Sequence, residues 1–469
     1  MAKAVITNRI KKQVINSILS DVNDASNNYY AAIGRSEDWN DSDVAPLAYN
    51  TGREERNFRL GMQSVKNITD IRMVVPRYNW ASGAIYSAYN DAQAGYPSQP
   101  YYVLNDNNQV YMCVQQAKNA AGSSLVSNNQ PSGNTTGDAF ATADGYVWKF
   151  LYSISALDAT KFVSANYMPV KLQGAVDSDS PAADVEQLAV QNAAIKGQIT
   201  GFSITTGGSG YTSNPTVTVI GDGIGAKGVA SIDGGAVTKV EIYDSSGTYT
   251  QGSGYSEASL VFTGGGSFTT EAKGRVILGH DQSPLGFGAD PRDDLRSTAI
   301  MFNTKPDGDE AGDFIINQDF RQVGLLKNPR LDEDSAGSAE TSLDGLAAPF
   351  TESTGNALKK LRVSSFSQTM TPDNTIQGSL SQVKALIDRV DSANIWYHQT
   401  EETGFGDFDS GESVNEIDGN GAGVLNASFA PYIKGELNNK TGDLMYIANR
   451  DAIIRDAGQT EDIKIVIQI

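Results

Sequence analysis

The chain has 469 residues, 39% apolar and 19% charged, a length that suggests about three domains and a composition that excludes disorder and fibrous structure. Its 55 acidic and 36 basic side chains leave a net charge of −19, which repels phosphate backbones and argues against a nucleic-acid role. No apolar run approaches the ~20 residues that cross a bilayer, and the opening "MAKAVITNRIKKQV" is too polar for a secretory signal, so synthesis in the cytoplasm is expected.

The first predicted element is a helix. Ile6, Ile10, Val14, Ile18 and Val22 recur every four residues, with Ile15 and Leu19 beside them. Further on, "YYVLNDNNQVYMCV" reads as a hairpin turning at Asn105-Asp106-Asn107-Asn108. Its single cysteine, Cys113, excludes an internal disulfide and reads as a small buried apolar residue. "SLVSNNQPSGNTTGDAFATADG" is polar and rich in turn formers, the composition of a long surface loop. In "GYVWKFLYSI", Tyr146, Trp148, Phe150, Tyr152 and Ile154 alternate with Val147, Lys149, Leu151 and Ser153, the period of a strand packed on a core. "VDSDSPAADVEQ" reads as a linker. Residues 1–175 are accordingly a first domain and 176–196 the linker out of it.

Residues 197–270 differ in kind, holding 17 of the 47 glycines. They also repeat. Ile199, Phe202 and Ile204 match Val237, Val240 and Ile242, and Gly208-Ser209-Gly210-Tyr211 matches Gly252-Ser253-Gly254-Tyr255. Each unit is strand, glycine-tyrosine turn, strand, and two units burying one another's apolar faces make a small all-β module. Within it, Gly223-x-Gly225-x-x-Gly228 has dinucleotide-fingerprint spacing, but "VASIDGGAVTKVEIY" follows as strand, turn, strand. The helix that would hold a pyrophosphate is missing, so these are turn glycines. Residues 271–469 form a C-terminal half with one helix expected near 379–391, announced by the capping-box pair Ser379 and Gln382 and the apolar face Leu380, Val383, Leu386, Ile387 and Val390. "FGDFDSGESVNEIDGNGAG" is acidic and glycine-bearing and is expected to be mobile unless a neighbour orders it.

Chemistry is sparse. The two histidines, His280 and His398, have no partner at metal-ligand spacing, and each could act as a base only through a contact made by the fold. Acidic runs such as "DEDSAGSAE" and "DGDEAGD" sit in turn-rich segments, where carboxyl pKa values stay ordinary. Asp407 and Asp409 fit the first positions of a calcium loop, but Glu412 stands where glycine is required and Asp418 where a bidentate glutamate belongs. No catalytic, cofactor-binding or metal residue is therefore predicted. Aromatic strands, long polar loops and β modules suit a protein that works through docking surfaces.

Five stretches carry a resemblance: "NNYYAAIGRSEDWND", "QPYYVLNDNNQVYMCVQQ", "DGYVWKFLYSIS" with Phe162 and "YMPVK", "DFIINQDFRQVGLLKNP", and the ending "GDLMYIANRDAIIRDAGQTEDIKIVIQI". In this order they resemble the baseplate wedge proteins of contractile-tailed bacteriophages, the family of the T-even gene-eight product. The glycine-rich repeat departs from that pattern and reads as an insertion.

The resemblance implies an α+β, β-rich multidomain fold with mixed α/β and β-sandwich-like domains. It implies a non-enzymatic subunit of the virion, placed in the tail baseplate after assembly in the host cytoplasm. Such a subunit docks to other wedge proteins, pairs with a second copy, has tail-fibre attachment proteins as further partners, and helps couple fibre engagement to sheath contraction. Trp148 and Tyr152 should then be core, while loops bearing Trp39 or the acidic glycine segments meet neighbours. Two alternatives stand: a glycan-binding adhesin, which needs Tyr211 and Tyr255 exposed as stacking platforms, and a polysaccharide-degrading enzyme, which needs two converging carboxylates.

Overall fold

A computed structural model describes residues 5–40, 42–133, 135–279, 286–314, 316–332, 347–428 and 432–469. The chain is β-rich, 39% strand and 11% helix in several sheets, a multidomain α+β fold. It divides into two compact units. One holds residues 1–16, 72–301 and 467–469, the other 17–71 and 302–466. This division departs from the sequence boundaries because strand pairing is long-range: Tyr29–Gly34 lies antiparallel to Gln318–Lys327, Tyr29 opposite Lys327, and on its other side to Met62–Asn67. A stretch counted with the first 175 residues thus builds a sheet with the C-terminal half.

In the first unit, Tyr102–Leu104, Gln109–Gln115, Val147–Ser153 and Ala139–Ala141 form a four-stranded antiparallel sheet in that order. The expected hairpin is its first pair, with Tyr102 opposite Met112. Trp148 is fully buried and stacks on Tyr146 at 5.7 Å between ring centroids. Cys113 and Phe150 share that core, while Tyr152, also buried, donates its hydroxyl to the Pro169 carbonyl at 2.8 Å. The alternating strand is covered on both faces, so Val147, Lys149 and Leu151 are buried too. Part of the cover is a helix, Ala182–Asn192, inside the segment expected to be a linker. Its signal was muted because a polar side chain faces inward: Gln187 is buried and its amide nitrogen donates to the Lys171 carbonyl at 2.7 Å, leaving Val190 as the buried apolar anchor.

The glycine-rich module is a six-stranded antiparallel sheet ordered Ala236–Glu241, Val229–Asp233, Thr216–Gly221, Ala258–Thr263, Lys273–Leu278, Ile199–Thr206. It runs on to Leu278, beyond the boundary drawn at 270, because Lys273–Leu278 pairs with the module's first strand. The two copies match in backbone detail. Gly208 and Gly252 have φ of 65° and 66°, and a Cβ on either would stand 2.4 Å from main-chain atoms of Thr270 or Ala226. Tyr211 and Tyr255 follow them into the shared core.

In the second unit, Thr354–Asn356, Met62–Asn67, Tyr29–Gly34, Gln318–Lys327 and Asp443–Arg455 make a five-stranded sheet. The expected β-sandwich-like domain takes a closed form: Asn394–His398, Lys384–Val390, Thr375–Gly378, Ser413–Glu416, Ala422–Leu425 and Lys359–Gln368 pair in sequence around a ring. Lys359 opposite Tyr397 closes it, and a barrel leaves no sheet edge. Leu361, Ile376, Ile387, Ile395, Tyr397, Phe408 and Val414 fill it.

Two expectations fail here. No helix spans 379–391; that segment is a turn leading into the strand Lys384–Val390. The register shifts between Ile387 and Arg389, so Ile387 and Asp388 are both buried. A bulge of this kind breaks the period of two and imitates helical spacing. The acidic stretch 405–423 is built into the barrel as the hairpin Ser413–Glu416 and Ala422–Leu425, with Phe408 in the core.

Candidate functional site: an ionic clamp around His398

His398 ends a barrel strand and is 4% exposed. Its Nδ1 lies 2.7 Å from Asp388 on the neighbouring strand, and its Nε2 lies 3.1 Å from Glu37 in the loop after Tyr29–Gly34. Burial opposes charge on the ring, but the Asp388 and Glu37 carboxylates outweigh it and raise the His398 pKa well above the ordinary value. Burial likewise opposes charge on Glu37, yet His398 and Arg35 pull its pKa down to about 2. The ring lies between two carboxylates that favour its protonated form. With a carboxylate oxygen against each ring nitrogen, neither nitrogen is open to a nucleophile, which is what a catalytic base needs.

The same loop is held a second time. Arg321, 4% exposed, receives Asp43 in two bonds, Nε to Oδ1 at 2.7 Å and Nη2 to Oδ2 at 2.9 Å. It also reaches Asp38 at 2.6 Å, Asp319 at 2.7 Å and the Ser36 carbonyl. A planar guanidinium suits this many acceptors. Asp319 is raised by burial, against the pull of Arg321. Close by, Asp373 accepts from Gln318 at 2.9 Å and is pushed up to about 6 by burial and by the charge of Asp319. Trp39, on the loop expected to meet neighbours, is half-buried rather than exposed. Its indole N–H donates to the Arg450 carbonyl at 2.8 Å and the Arg35 guanidinium lies 4.2 Å over its ring. Residues 35–40 and 42–43 thus form a strap fixed by charges at both ends.

The remaining sequence candidates do not converge on this strap. His280 lies outside the described residues, as does most of "DEDSAGSAE". In "DGDEAGD", Glu310 pairs with Lys66 at 2.8 Å. Glu412, from the calcium-loop test, accepts from the amides of Leu380, Ser381 and Asp409 at 2.7–3.0 Å and from the Ser381 hydroxyl at 2.7 Å. Burial opposes its charge, but these donors lower its pKa and occupy its oxygens. Among the described residues no group of three or more His, Cys, Asp and Glu is placed to hold a metal ion. Gly223 needs its glycine because a Cβ would stand 2.4 Å from the Tyr255 ring, and the strand Val229–Asp233 follows its motif. Tyr211 and Tyr255 are 4% and 7% exposed, so the stacking platforms of an adhesin are absent at those two positions. Cys113 is buried, which raises its thiol pKa.

The clamp was missed because its members lie far apart in the chain. A signal existed: "DFRQV", "IDRV" and "IWYHQ" each set a charge or histidine inside an otherwise apolar strand, where burial requires a partner. No family model and no curated protein matches the chain.

Proposed function

We propose that this protein is a structural subunit of a contractile bacteriophage tail baseplate, a wedge component that acts by docking and carries out no covalent chemistry. The observation that carries the non-catalytic part is His398, the one histidine among the described residues, closed at its two ring nitrogens by the buried Asp388 and the partly buried Glu37. The clamp fixes residues 35–40, which belong to the stretch "NNYYAAIGRSEDWND" that resembles the wedge family, and holds Asp43 just beyond it. Charges that might have formed a reactive site hold a loop in place. Exposed apolar side chains supply docking material, with Leu47 at 79%, Leu380 at 72% and Tyr49 at 65%.

In this reading the neighbours are other wedge proteins and tail-fibre attachment proteins, with a second copy of the chain in each wedge. Docking surfaces with two packings separated by only a few kcal/mol would couple fibre engagement to the sheath. The test is co-expression with the neighbouring genes of the encoding genome, followed by sizing and electron microscopy. A stoichiometric complex that matches a baseplate segment is expected. Absence of the protein from purified particles, or hydrolysis of a polysaccharide by the isolated chain, overturns the proposal.

A further inference from the structure

The helix Asn8–Val22 has a side that its own fold does not use. Ile15 is fully buried, whereas Ile6, Ile10 and Val14 are 65%, 54% and 41% exposed. Ile10 and Val14 lie one turn apart on one face, Ile6 stands just ahead of the helix, and the buried Ile15 is about 100° around the helix from Val14. Charge is equally one-sided. Lys12 is held inward by Asp290 at 2.9 Å and Asp293 at 2.6 Å, and Lys11 donates to the Ile469 carbonyl at 2.9 Å. Arg9 is exposed beside the stripe, and the first carboxylate in the sequence is Asp21. In a protein of net charge −19, this face is apolar and cationic.

We infer that the exposed Ile10–Val14 face, with Ile6 just ahead of it, receives an amphipathic helix of another protein, with an apolar ridge flanked by carboxylates. The stripe at helical spacing fits such a ridge, as helix faces interdigitate. Carboxylates on the partner would meet Arg9. A second copy presenting the same face would instead set Arg9 against Arg9, which disfavours a symmetric pair. The inference rests on the docking reading for the existence of a partner, but the two fail separately, because peptide binding and particle assembly are measured apart.

The experiment uses the full chain and two synthetic helical peptides of about three heptads, with leucine at the ridge positions and either glutamate or lysine flanking them. Fluorescence anisotropy at low salt should show the glutamate peptide binding about tenfold tighter than the lysine one, with the difference shrinking as salt is added. Ile10→Glu should abolish binding and Arg9→Glu should reverse the preference. Both positions are exposed, and an unchanged melting curve confirms that each variant folds. Equal binding of the two peptides, binding indifferent to Ile10→Glu, or no binding of either peptide overturns the inference. So does self-association of the chain that Ile10→Glu removes, since a second copy is then the occupant. Adsorption to phosphatidylglycerol vesicles that Ile10→Glu removes, without peptide binding, also overturns it in favour of a lipid surface.

Discussion

The glycine-rich module and the barrel are both small antiparallel β structures, yet their charges sit in different places. The module closes its turns with glycines, with neutral hydroxyls, Tyr211 accepting the Ala272 amide at 2.9 Å and Tyr255 the Ala226 amide at 3.4 Å, and with carboxylates at the surface, Asp222 accepting the Ser256 amide at 2.9 Å. The barrel is fastened by buried charges, Asp388 and His398 on its wall reaching Glu37, and Glu412 gathering amides from two turns. Neutral hydrogen bonds contribute little each, and their loss is local. A buried ionic cluster is unforgiving, because removing one member strands the others in a medium that solvates charge poorly.

The largest effect should therefore come from Asp388→Ala. It leaves the His398 ring without its main counter-charge and should cost about 3–5 kcal/mol, read as a lower urea midpoint with an unchanged slope. Hydrogen exchange should locate the loss in residues 17–71 and 302–466 and leave the module's amides protected. A loss below about 1 kcal/mol would show that the clamp is no stronger than a surface ion pair.

The same contrast explains what could be read from the sequence. The module was legible because its repeat is local, in matched apolar positions and matched Gly-Ser-Gly-Tyr turns, although its strands pair across the whole module. The aromatic sheet was legible for the same reason, since Tyr146, Trp148 and Phe150 alternate within one strand. The barrel was misread because its closure joins Lys359 to Tyr397 and Val363 to Leu425, while the bulge near Arg389 gave its strand a false helical period. Ser379 and Gln382 looked like a capping box, but the Ser379 amide donates to Ser413 across the sheet, and Gln382, at φ 58°, is a turn residue. The clamp depends on residues 37, 388 and 398 meeting in space, and no spacing rule links them.

A middle-sized effect sharpens the description of the module. Tyr211→Phe keeps the ring in the core but leaves the Ala272 amide without an acceptor, a loss of about 1–3 kcal/mol for a buried donor. Tyr255→Phe should cost less, because its bond to Ala226 is longer and therefore weaker. The two variants can be compared by thermal melting. Equal losses, or a larger one for Tyr255→Phe, would mean that the repeats are not held by these hydroxyls.

The smallest effect is the dependence on pH, and it should be confined to the ionic region. Glu37 has a depressed pKa near 2, so its contribution is complete above the ordinary glutamate range and is lost as pH falls toward 2. His398 is raised, so its contribution is complete below the ordinary histidine value and is lost only as pH climbs through the raised one. Asp373 runs against both. With a pKa near 6 it favours folding when protonated, so stability should decline as pH rises through about 6 and recover on acidification towards the ordinary aspartate value. Asp373 is exposed, which screens the penalty and limits it to under about 1 kcal/mol. Asp373→Asn retains an oxygen for the Gln318 amide and removes the charge beside Asp319, so it should flatten the decline between about pH 4 and pH 7 while leaving the loss near pH 2 in place. If the slope survives this substitution, the titrating group near 6 is not Asp373, and the acidic cluster around Arg321 is better screened than its geometry implies.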